Sequence, residues 1–185
     1  MKADANRWDL KYRNVSVDFT PDPLLLGLSD RLQGPGRALD IACGVAQNTI
    51  WLAEQGFTSY GIDASQVGLT HGLNESIERD TYVRLIAADL DVYPLPENFF
   101  DVIVVFRYLN RDLIPALKQS LNVGGLMIYK TFNVRHLETN SSFNKNYVLQ
   151  AGELKEYFSD FKTITTNDDD SLDDTQTYWV GIRSD

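Results

Sequence analysis

The sequence predicts an α/β fold built on a parallel, doubly wound sheet. Short β-branched runs alternate with helical segments between residues 38 and 132, which is the pattern of βαβ units. The chain then ends in two strand-like runs, 161–165 and 177–182, joined by the acidic segment 168–174. Because a parallel crossover needs roughly a dozen residues or more, usually a helix, the last two strands are predicted to form an antiparallel hairpin.

Each element follows from a local signal. Trp8 and Tyr12 stand at helical spacing and predict a short amphipathic helix over 4–13, and the leucine run 24–28 after two prolines predicts another helix. Gly34-Pro35-Gly36 marks the turn into the first strand. The predicted elements that follow are strand 38–42, helix 46–55, strand 58–62, helix 65–79, strand 82–87, strand 100–106, helix 111–121, strand 125–132 and helix 149–158.

The chain has the length and composition of one ordinary domain. It contains 185 residues, of which 43% are hydrophobic and 23% charged, values typical of a globular protein with a sizeable core. We therefore expect a single domain over 1–185, with an N-terminal cap segment, 1–35, and an α/β core, 36–185.

The charge balance excludes some classes of partner. The sequence has 17 Lys and Arg against 26 Asp and Glu, a net charge of −9, and its basic residues are scattered. A phosphate polymer normally needs a basic face, so no nucleic-acid partner is expected. No apolar stretch approaches membrane-spanning length, so no membrane partner is expected.

Cys43, the single cysteine, is expected to be a buried, inert thiol, and this cysteine usage fits the cytoplasm.

The segment from residue 38 to residue 49 carries the most functional information. A buried strand contains Asp40 and leads into a turn of small residues around Gly44, and a second strand ends at Asp63, nineteen residues later. Small residues let the backbone approach a ligand, and a carboxylate at that distance accepts hydrogen bonds from ribose hydroxyls. The pattern predicts a site for an adenosine-containing cofactor.

The turn favours a cationic cofactor over a dinucleotide. A pyrophosphate site uses the pattern G-x-G-x-x-G, whereas here Gly44 is flanked by Ala42 and Ala46. Asp40 would repel a pyrophosphate and would attract the ammonium or sulfonium of S-adenosylmethionine. The run resembles the first motif of class I S-adenosylmethionine-dependent methyltransferases, acid-x-G-x-G-x-G, with alanine in place of the two outer glycines.

Later segments extend this resemblance in the order that the family requires. The run 86–90 is similar to the family's third signature, and the runs 100–106 and 122–129 resemble its fourth and fifth strands. The runs 106–111 and 129–133 resemble small bacterial methyltransferases related to the tellurite-resistance family. The resemblance implies a Rossmann-like, seven-stranded sheet with a reversed C-terminal strand, and S-adenosylmethionine as the cofactor.

The resemblance also implies which residues bind the cofactor. In the core these are Asp40, Ala42, Gly44, Asp63, Ala64, Asp89, Leu90 and Phe106. The N-terminal element of such relatives, Trp-Asp-x-Arg-Tyr, is matched by Trp8, Lys11 and Tyr12, with lysine in the place of arginine. Several of these assignments have a structural alternative: Asp63 as a helix cap, Asp40 as a partner of turn amides, Asp89 as a solvated loop acid, Phe106 as core, and Trp8 and Tyr12 as pins for a terminal helix.

The methyl acceptor is expected where the fourth and fifth strands end, since open α/β sheets bind ligands at the carboxyl ends of their strands. The predicted acceptor-binding residues are Arg107, Tyr108, Asn110, Arg111, Phe132, Asn133 and His136. They suit a small acceptor with a polar or soft heteroatom. No catalytic residue is predicted, and His71 and His136 give no metal-binding pattern.

The function predicted from the sequence is methyl transfer from S-adenosylmethionine to a small molecule. The alternatives are a non-catalytic domain that binds the cofactor or a partner, and an NAD-dependent oxidoreductase. The missing glycines and the terminal hairpin disfavour the oxidoreductase.

Overall fold

The computed structural model describes residues 2–14, 16–169 and 174–185. Its fold consists of two units, residues 1–94 and residues 95–185. The prediction of a single domain remains a prediction. Residues 170–173 of the predicted acidic segment lie outside the described residues.

The first unit combines three parallel strands with four helices. Its strands follow the order β3-β2-β1, and in this register Asp40 lies opposite Gly61 and Asp63 lies opposite Ala87. The three strands therefore end along one edge. The elements are α1 (Lys2–Arg13), α2 (Pro23–Leu26), a 3-10 turn (Ser29–Arg31), β1 (Arg37–Ile41), α3 (Gln47–Glu54), β2 (Thr58–Asp63), α4 (Gln66–Glu78) and β3 (Val83–Ala87).

The second unit contains a parallel pair of strands and an antiparallel hairpin, in the order β4-β5-β7-β6. Strand β4 runs parallel to β5, whereas β7 runs antiparallel to both β5 and β6. The elements are β4 (Phe100–Phe106), a 3-10 turn (Arg111–Leu113), α5 (Ile114–Ser120), β5 (Leu121–Phe132), α6 (His136–Thr139), a 3-10 turn (Lys145–Tyr147), α7 (Glu153–Tyr157), β6 (Phe161–Thr166) and β7 (Gln176–Arg183).

The α/β class, the seven strands and the reversed last strand are confirmed in the described residues. Strand β4 is almost entirely buried, since six of its seven residues are inaccessible to solvent or nearly so. The rings of Phe158 and Trp179 are stacked with their centres 4.6 Å apart, and they fill the core beside β7. Helix α4 begins as expected, because Ser65 Oγ accepts a hydrogen bond from Gly68 N at 3.0 Å.

Three predicted boundaries were wrong for identifiable reasons. The helix predicted over 149–158 begins only at Glu153, because Leu149 N donates to Phe132 O and its carbonyl accepts from Val134 N, which extends the β5 pairing. Strand β5 begins at Leu121, four residues before the predicted start. Helix α5 is correspondingly shorter than predicted, and the 3-10 turn Arg111–Leu113 precedes it.

Among the described residues, the helices are all too short or too polar to cross a bilayer.

Candidate functional site

The turn after β1 has an unusual backbone that explains its small residues. Ala42, Gly44 and Ala46 all adopt left-handed φ angles, +54°, +58° and +62°. Glycine takes this conformation freely, whereas another residue pays roughly 1–2 kcal/mol. The two alanines therefore adopt a backbone conformation that glycine takes without strain. We call residues 42–46 the β1 turn.

Gly44 is required for a second reason, the close approach of Tyr12. A Cβ at Gly44 would overlap the Tyr12 hydroxyl and lie 3.3 Å from Cζ of that ring. The same ring limits Gly68, where a Cβ would come within 3.0 Å of two ring carbons. Tyr12 thus packs directly on the β1 turn and on α4.

Asp63 is held by backbone amides on both of its oxygens. Gly44 N donates to Oδ2 and Ser65 N donates to Oδ1, each at 2.8 Å. The residue is 9% exposed, and burial raises the pKa of its carboxyl, although the amides partly oppose this rise. The carboxylate is therefore oriented before any ligand arrives, and its two oxygens, which offer about four acceptor positions, can accept a further donor. Ala64, the next residue, is half-buried.

Asp40 is engaged by the fold itself. It is 2% exposed, and its Oδ2 accepts a hydrogen bond of 2.7 Å from the Thr49 hydroxyl. The structural alternative for Asp40 is thus present in the structure, and its contact with a cofactor stays a prediction. Cys43, between these acids, is buried as expected; burial and the charges of Asp40 and Asp63 hold the pKa of its thiol well above the ordinary value.

Asp89 presents a buried acceptor. Its Oδ1 accepts from Asp91 N at 3.1 Å, but its Oδ2 is buried and meets no donor among the described residues. Buried polar atoms are nearly always hydrogen-bonded, so this oxygen suits a ligand with an N–H group. The amino group of an adenine meets that requirement. Leu90, which follows, is buried.

The N-terminal helix is docked on α4 through a residue that sequence reasoning missed. Asp9 Oδ1 accepts from Ser65 Oγ at 2.6 Å and from Val67 N at 3.1 Å. These hydrogen bonds lower the pKa of the Asp9 carboxyl. A further contact joins His71 Nε2 to the Tyr12 carbonyl at 3.2 Å. The available signal was the position of Asp9 beside Trp8 in the N-terminal element.

The other N-terminal candidates form one stack. The rings of Trp8 and Tyr12 lie 5.9 Å apart, and Lys11 Nζ lies 4.3 Å from the centre of the Trp8 ring. The structural alternative, in which these rings attach the terminal helix to the domain, agrees with the packing of Tyr12 on the β1 turn and on α4. Contact of Trp8 and Tyr12 with a cofactor stays a prediction.

In the second unit, the predicted acceptor residues begin where β4 ends. Phe106 is 6% exposed, and Arg107 is exposed and adopts a left-handed φ of +54°. The Arg107 amide donates to Lys130 O at 2.8 Å, which fixes this bend. Tyr108 and Asn110, both half-buried, follow, and Asn110 Oδ1 accepts from Asp112 N at 3.1 Å.

The Arg111 side chain forms hydrogen bonds with a distant segment of the chain. Its guanidinium donates to both carboxylate oxygens of Glu153, at 2.6 and 3.0 Å, and to the carbonyls of Asn146 and Val148. We call this arrangement the Arg111 clasp, because it ties the 3-10 turn before α5 to residues 146–153. Its role in binding an acceptor stays a prediction.

Two of the remaining candidates belong to a cluster of rings. Phe132 stacks on His136 at 4.2 Å, and Phe143 meets both rings edge-on at 5.4 and 4.8 Å. We call these three half-buried residues the aromatic cluster; Phe143 was missed because it lies eleven residues beyond β5. Asn133 is buried instead, and its amide donates to Asp174 O and Thr177 Oγ1 at 2.8 and 3.0 Å.

No group of three or more His, Cys, Asp or Glu side chains that could hold a metal occurs within the described part of the chain.

Comparison with known proteins shows the family to which the sequence belongs. The sequence model of the family described as tellurite resistance protein TehB matches residues 29–178. The chain is 25% identical over 146 residues to the probable S-adenosyl-L-methionine-dependent methyltransferase TehB of Haemophilus influenzae, which covers 75% of the chain and 50% of that protein. It is 29% identical over 136 residues to human glycine N-methyltransferase, with 61% and 46% covered. The chain thus spans about half the length of these curated relatives.

A solved structure shows the same fold. The S-adenosylmethionine-dependent methyltransferase from Clostridium acetobutylicum superposes with a TM-score of 0.69 at 14% identity, over 100% of the chain and 99% of that protein. At this identity the likeness concerns the fold alone, and it confirms the predicted Rossmann-like architecture. The Haemophilus influenzae relative is named as a probable S-adenosyl-L-methionine-dependent methyltransferase, which is the class and the cofactor predicted from the sequence.

Proposed function

Because this chain belongs to the tellurite resistance protein TehB family, we propose that it is a methyltransferase that transfers a methyl group from S-adenosylmethionine to a small molecule. The family supports the reaction class. The small size of the acceptor is our inference from charge and from the side chains at the ends of β4 and β5.

The Asp63 carboxylate carries this proposal. Both of its oxygens are fixed by amides of two different loops, and it stands at the end of β2, where a nucleoside ribose binds in α/β sheets. Preorganised acceptors bind better because little conformational entropy is lost on binding. This is the arrangement expected of a ribose-binding acid.

The other residues of the first unit fit the rest of the cofactor. The unsatisfied Oδ2 of Asp89 suits the adenine amino group, with Leu90 beside it. The β1 turn and Asp40 suit the cationic methionine end, and Trp8, Lys11 and Tyr12 stand in the helix that packs on that turn. We retain Phe106 of the second unit as a further cofactor contact.

S-adenosylmethionine supplies an activated methyl group on a sulfonium when it is bound. The chain itself is expected to act by orienting the reactants and excluding water, and alignment of this kind lowers a barrier by about 7–11 kcal/mol. A general base is needed only where the accepting atom carries a proton, so we assign none.

Several observations favour a small acceptor. The net charge of −9 repels phosphate polymers. At the end of β4, Arg107 is exposed, and near the end of β5 the aromatic cluster offers half-buried rings. One relative is named for a small acceptor, glycine. We also retain the proposals of a single domain and of a cytoplasmic location.

The two alternatives lose support in the structure. Alanine at positions 42 and 46 would be consistent with a cofactor site that has lost its activity, yet both residues adopt the left-handed backbone that glycine takes freely. The antiparallel hairpin of β6 and β7 departs from the β-α-β continuation of a dinucleotide fold.

Calorimetric titration with S-adenosylmethionine, S-adenosylhomocysteine and NAD tests the cofactor. We expect binding of the first two and none of NAD. A screen of small acceptors that detects S-adenosylhomocysteine release then tests the activity. Tight cofactor binding without turnover on any acceptor, macromolecules included, would favour the non-catalytic alternative.

A further inference from the structure

Gln47, the first residue of α3, carries a buried oxygen that the protein does not use. Its Oε1 is shielded from solvent and receives no hydrogen bond from the described residues. A buried acceptor left unpaired is costly, and in native proteins such an atom usually has a partner. The side-chain carbonyl is therefore available to a donor from a ligand.

The next two residues of α3 differ in this respect. Asn48 Oδ1 accepts from Asp22 N at 2.9 Å, which anchors the segment before α2. Thr49 donates to Asp40 at 2.7 Å. Both polar side chains are thus committed to the fold, whereas Gln47 Oε1 has no hydrogen-bond partner in the part of the chain that the structure describes. Its polarity at this position calls for another explanation.

The order of the strands tells which part of a cofactor lies near Gln47. Along the edge where β3, β2 and β1 end, Asp89 comes first, Asp63 second and the β1 turn third. If Asp89 receives the adenine and Asp63 the ribose, the amino-acid end of the cofactor reaches the β1 turn. Gln47 follows that turn directly.

The amino-acid end offers the required donor. Its α-ammonium has three N–H groups, whereas its carboxylate has none to give to a carbonyl. The negative charges of Asp40 and Asp63 also favour a cation here, and both carboxylates raise the pKa of Cys43 in the same turn.

We propose that Gln47 is a cofactor-binding residue whose side-chain carbonyl accepts a hydrogen bond from the α-ammonium of S-adenosylmethionine. This inference rests on the proposed function. It assigns to α3 a contact that distinguishes the complete cofactor from adenosine fragments that lack the amino-acid end.

Three ligands separate the contact from a general structural effect. They are S-adenosylhomocysteine, its analogue without the α-amino group, and 5′-methylthioadenosine, which lacks the whole amino-acid end. Each is titrated calorimetrically into the wild type and into Gln47→Leu and Gln47→Met, which keep the size of the side chain but remove its acceptor. Gln55→Leu is the matched control, because Gln55 is also half-buried and lies at the opposite end of α3.

We expect both Gln47 variants to bind S-adenosylhomocysteine about ten- to a hundredfold more weakly, as for a hydrogen bond to a charged group. Their affinities for the other two ligands should match the wild type, and Gln55→Leu should leave all three affinities unchanged. Equal weakening for all ligands, or no weakening for any, would overturn the role of Gln47. Failure of the wild type to bind S-adenosylhomocysteine would instead overturn the proposed function, and this inference with it.

Discussion

At the scale of single residues, Asp63 combines two tasks that sequence reasoning treated as rivals. It accepts hydrogen bonds from the amides of Gly44 and Ser65, and we propose that it also accepts hydrogen bonds from the hydroxyls of a ribose. Burial raises the pKa of the carboxyl above its ordinary 3.8. Ionisation of a buried carboxyl destabilises the folded state. The contribution of Asp63 to the free energy of unfolding therefore decreases as the pH rises from 3.8 through the raised pKa.

Asp63→Asn removes the charge at nearly unchanged side-chain size, although its NH2 group then faces one of the two backbone amides. The amide keeps one oxygen for a backbone donor but loses the charge, so we expect affinity for S-adenosylmethionine to fall about ten- to a hundredfold. Asp63→Ala should also lower the free energy of unfolding by about 1–3 kcal/mol, because two amides lose their acceptor. Calorimetry and urea denaturation measure these effects, with the exposed Asp30→Asn as control. Unchanged affinity in Asp63→Asn would remove Asp63 from the site.

At the scale of elements, two sets of polar contacts connect separate segments of the chain. Asp9 joins α1 to the first turn of α4, and the Arg111 clasp joins the 3-10 turn before α5 to residues 146–153. Each contact bridges parts of the chain that are far apart in sequence. Their loss is therefore expected to loosen one element while the strands stay paired.

For α1, we predict that Asp9→Ala speeds hydrogen exchange over residues 5–13 and leaves the amides of β1 to β3 protected. Because hydrogen bonds lower the pKa of Asp9, its contribution is full above the ordinary value of 3.8 and disappears as the pH falls through the lowered value. The difference in melting temperature between the wild type and Asp9→Ala should thus narrow on acidification. Glu78→Ala, at the exposed far end of α4, is the control. Unaltered exchange in Asp9→Ala would show that Tyr12 alone docks the helix.

For the Arg111 clasp, we predict that Arg111→Ala lowers the free energy of unfolding by about 1–2 kcal/mol, a modest value because the side chain is 34% exposed and solvent screens the ion pair. Arg111→Lys keeps the charge but cannot form the two-pronged contact with Glu153, so it should lose most of the same energy. Urea denaturation provides the measurement, with the exposed Lys155→Ala for comparison. A fully stable Arg111→Ala with impaired methyl transfer would assign the residue to the acceptor instead.

At the scale of the whole molecule, we expect the net charge to favour small acceptors over phosphate polymers. With a net charge of −9, the protein repels a phosphate polymer over the Debye length, about 8 Å at physiological ionic strength. A small acceptor carries too little charge for this repulsion to matter.

We therefore expect methyl transfer to members of a small-molecule panel and none to purified tRNA or ribosomal RNA. Phe132→Ala, which opens the aromatic cluster, should reduce transfer and spare cofactor affinity. Release of S-adenosylhomocysteine is the readout for each acceptor, and Tyr147→Ala, at an exposed ring outside the cluster, is the control. Efficient methylation of RNA alone would refute the small-acceptor proposal.

The sequence predicted what local patterns determine. The strands, the Ser65 cap and the position of Asp63 follow from hydrophobic runs and turn residues within a few positions. The hydrogen-bond partners of Asp9, Arg111 and Asn133 could not be predicted from local patterns, because these partners lie 56, 42 and 44 residues away in the sequence. Spacing can place a polar residue at the end of a strand, but it does not tell whether a distant segment already occupies that residue.

The β1 turn has a consequence for how such proteins are found. Its shape depends on three left-handed residues, and here only one of the three is glycine. A search pattern that demands three glycine letters would pass over this chain, whereas one written in torsion angles would detect it. Asparagine and aspartate also tolerate this conformation, so divergent relatives with those residues at the outer positions are worth collecting by backbone geometry.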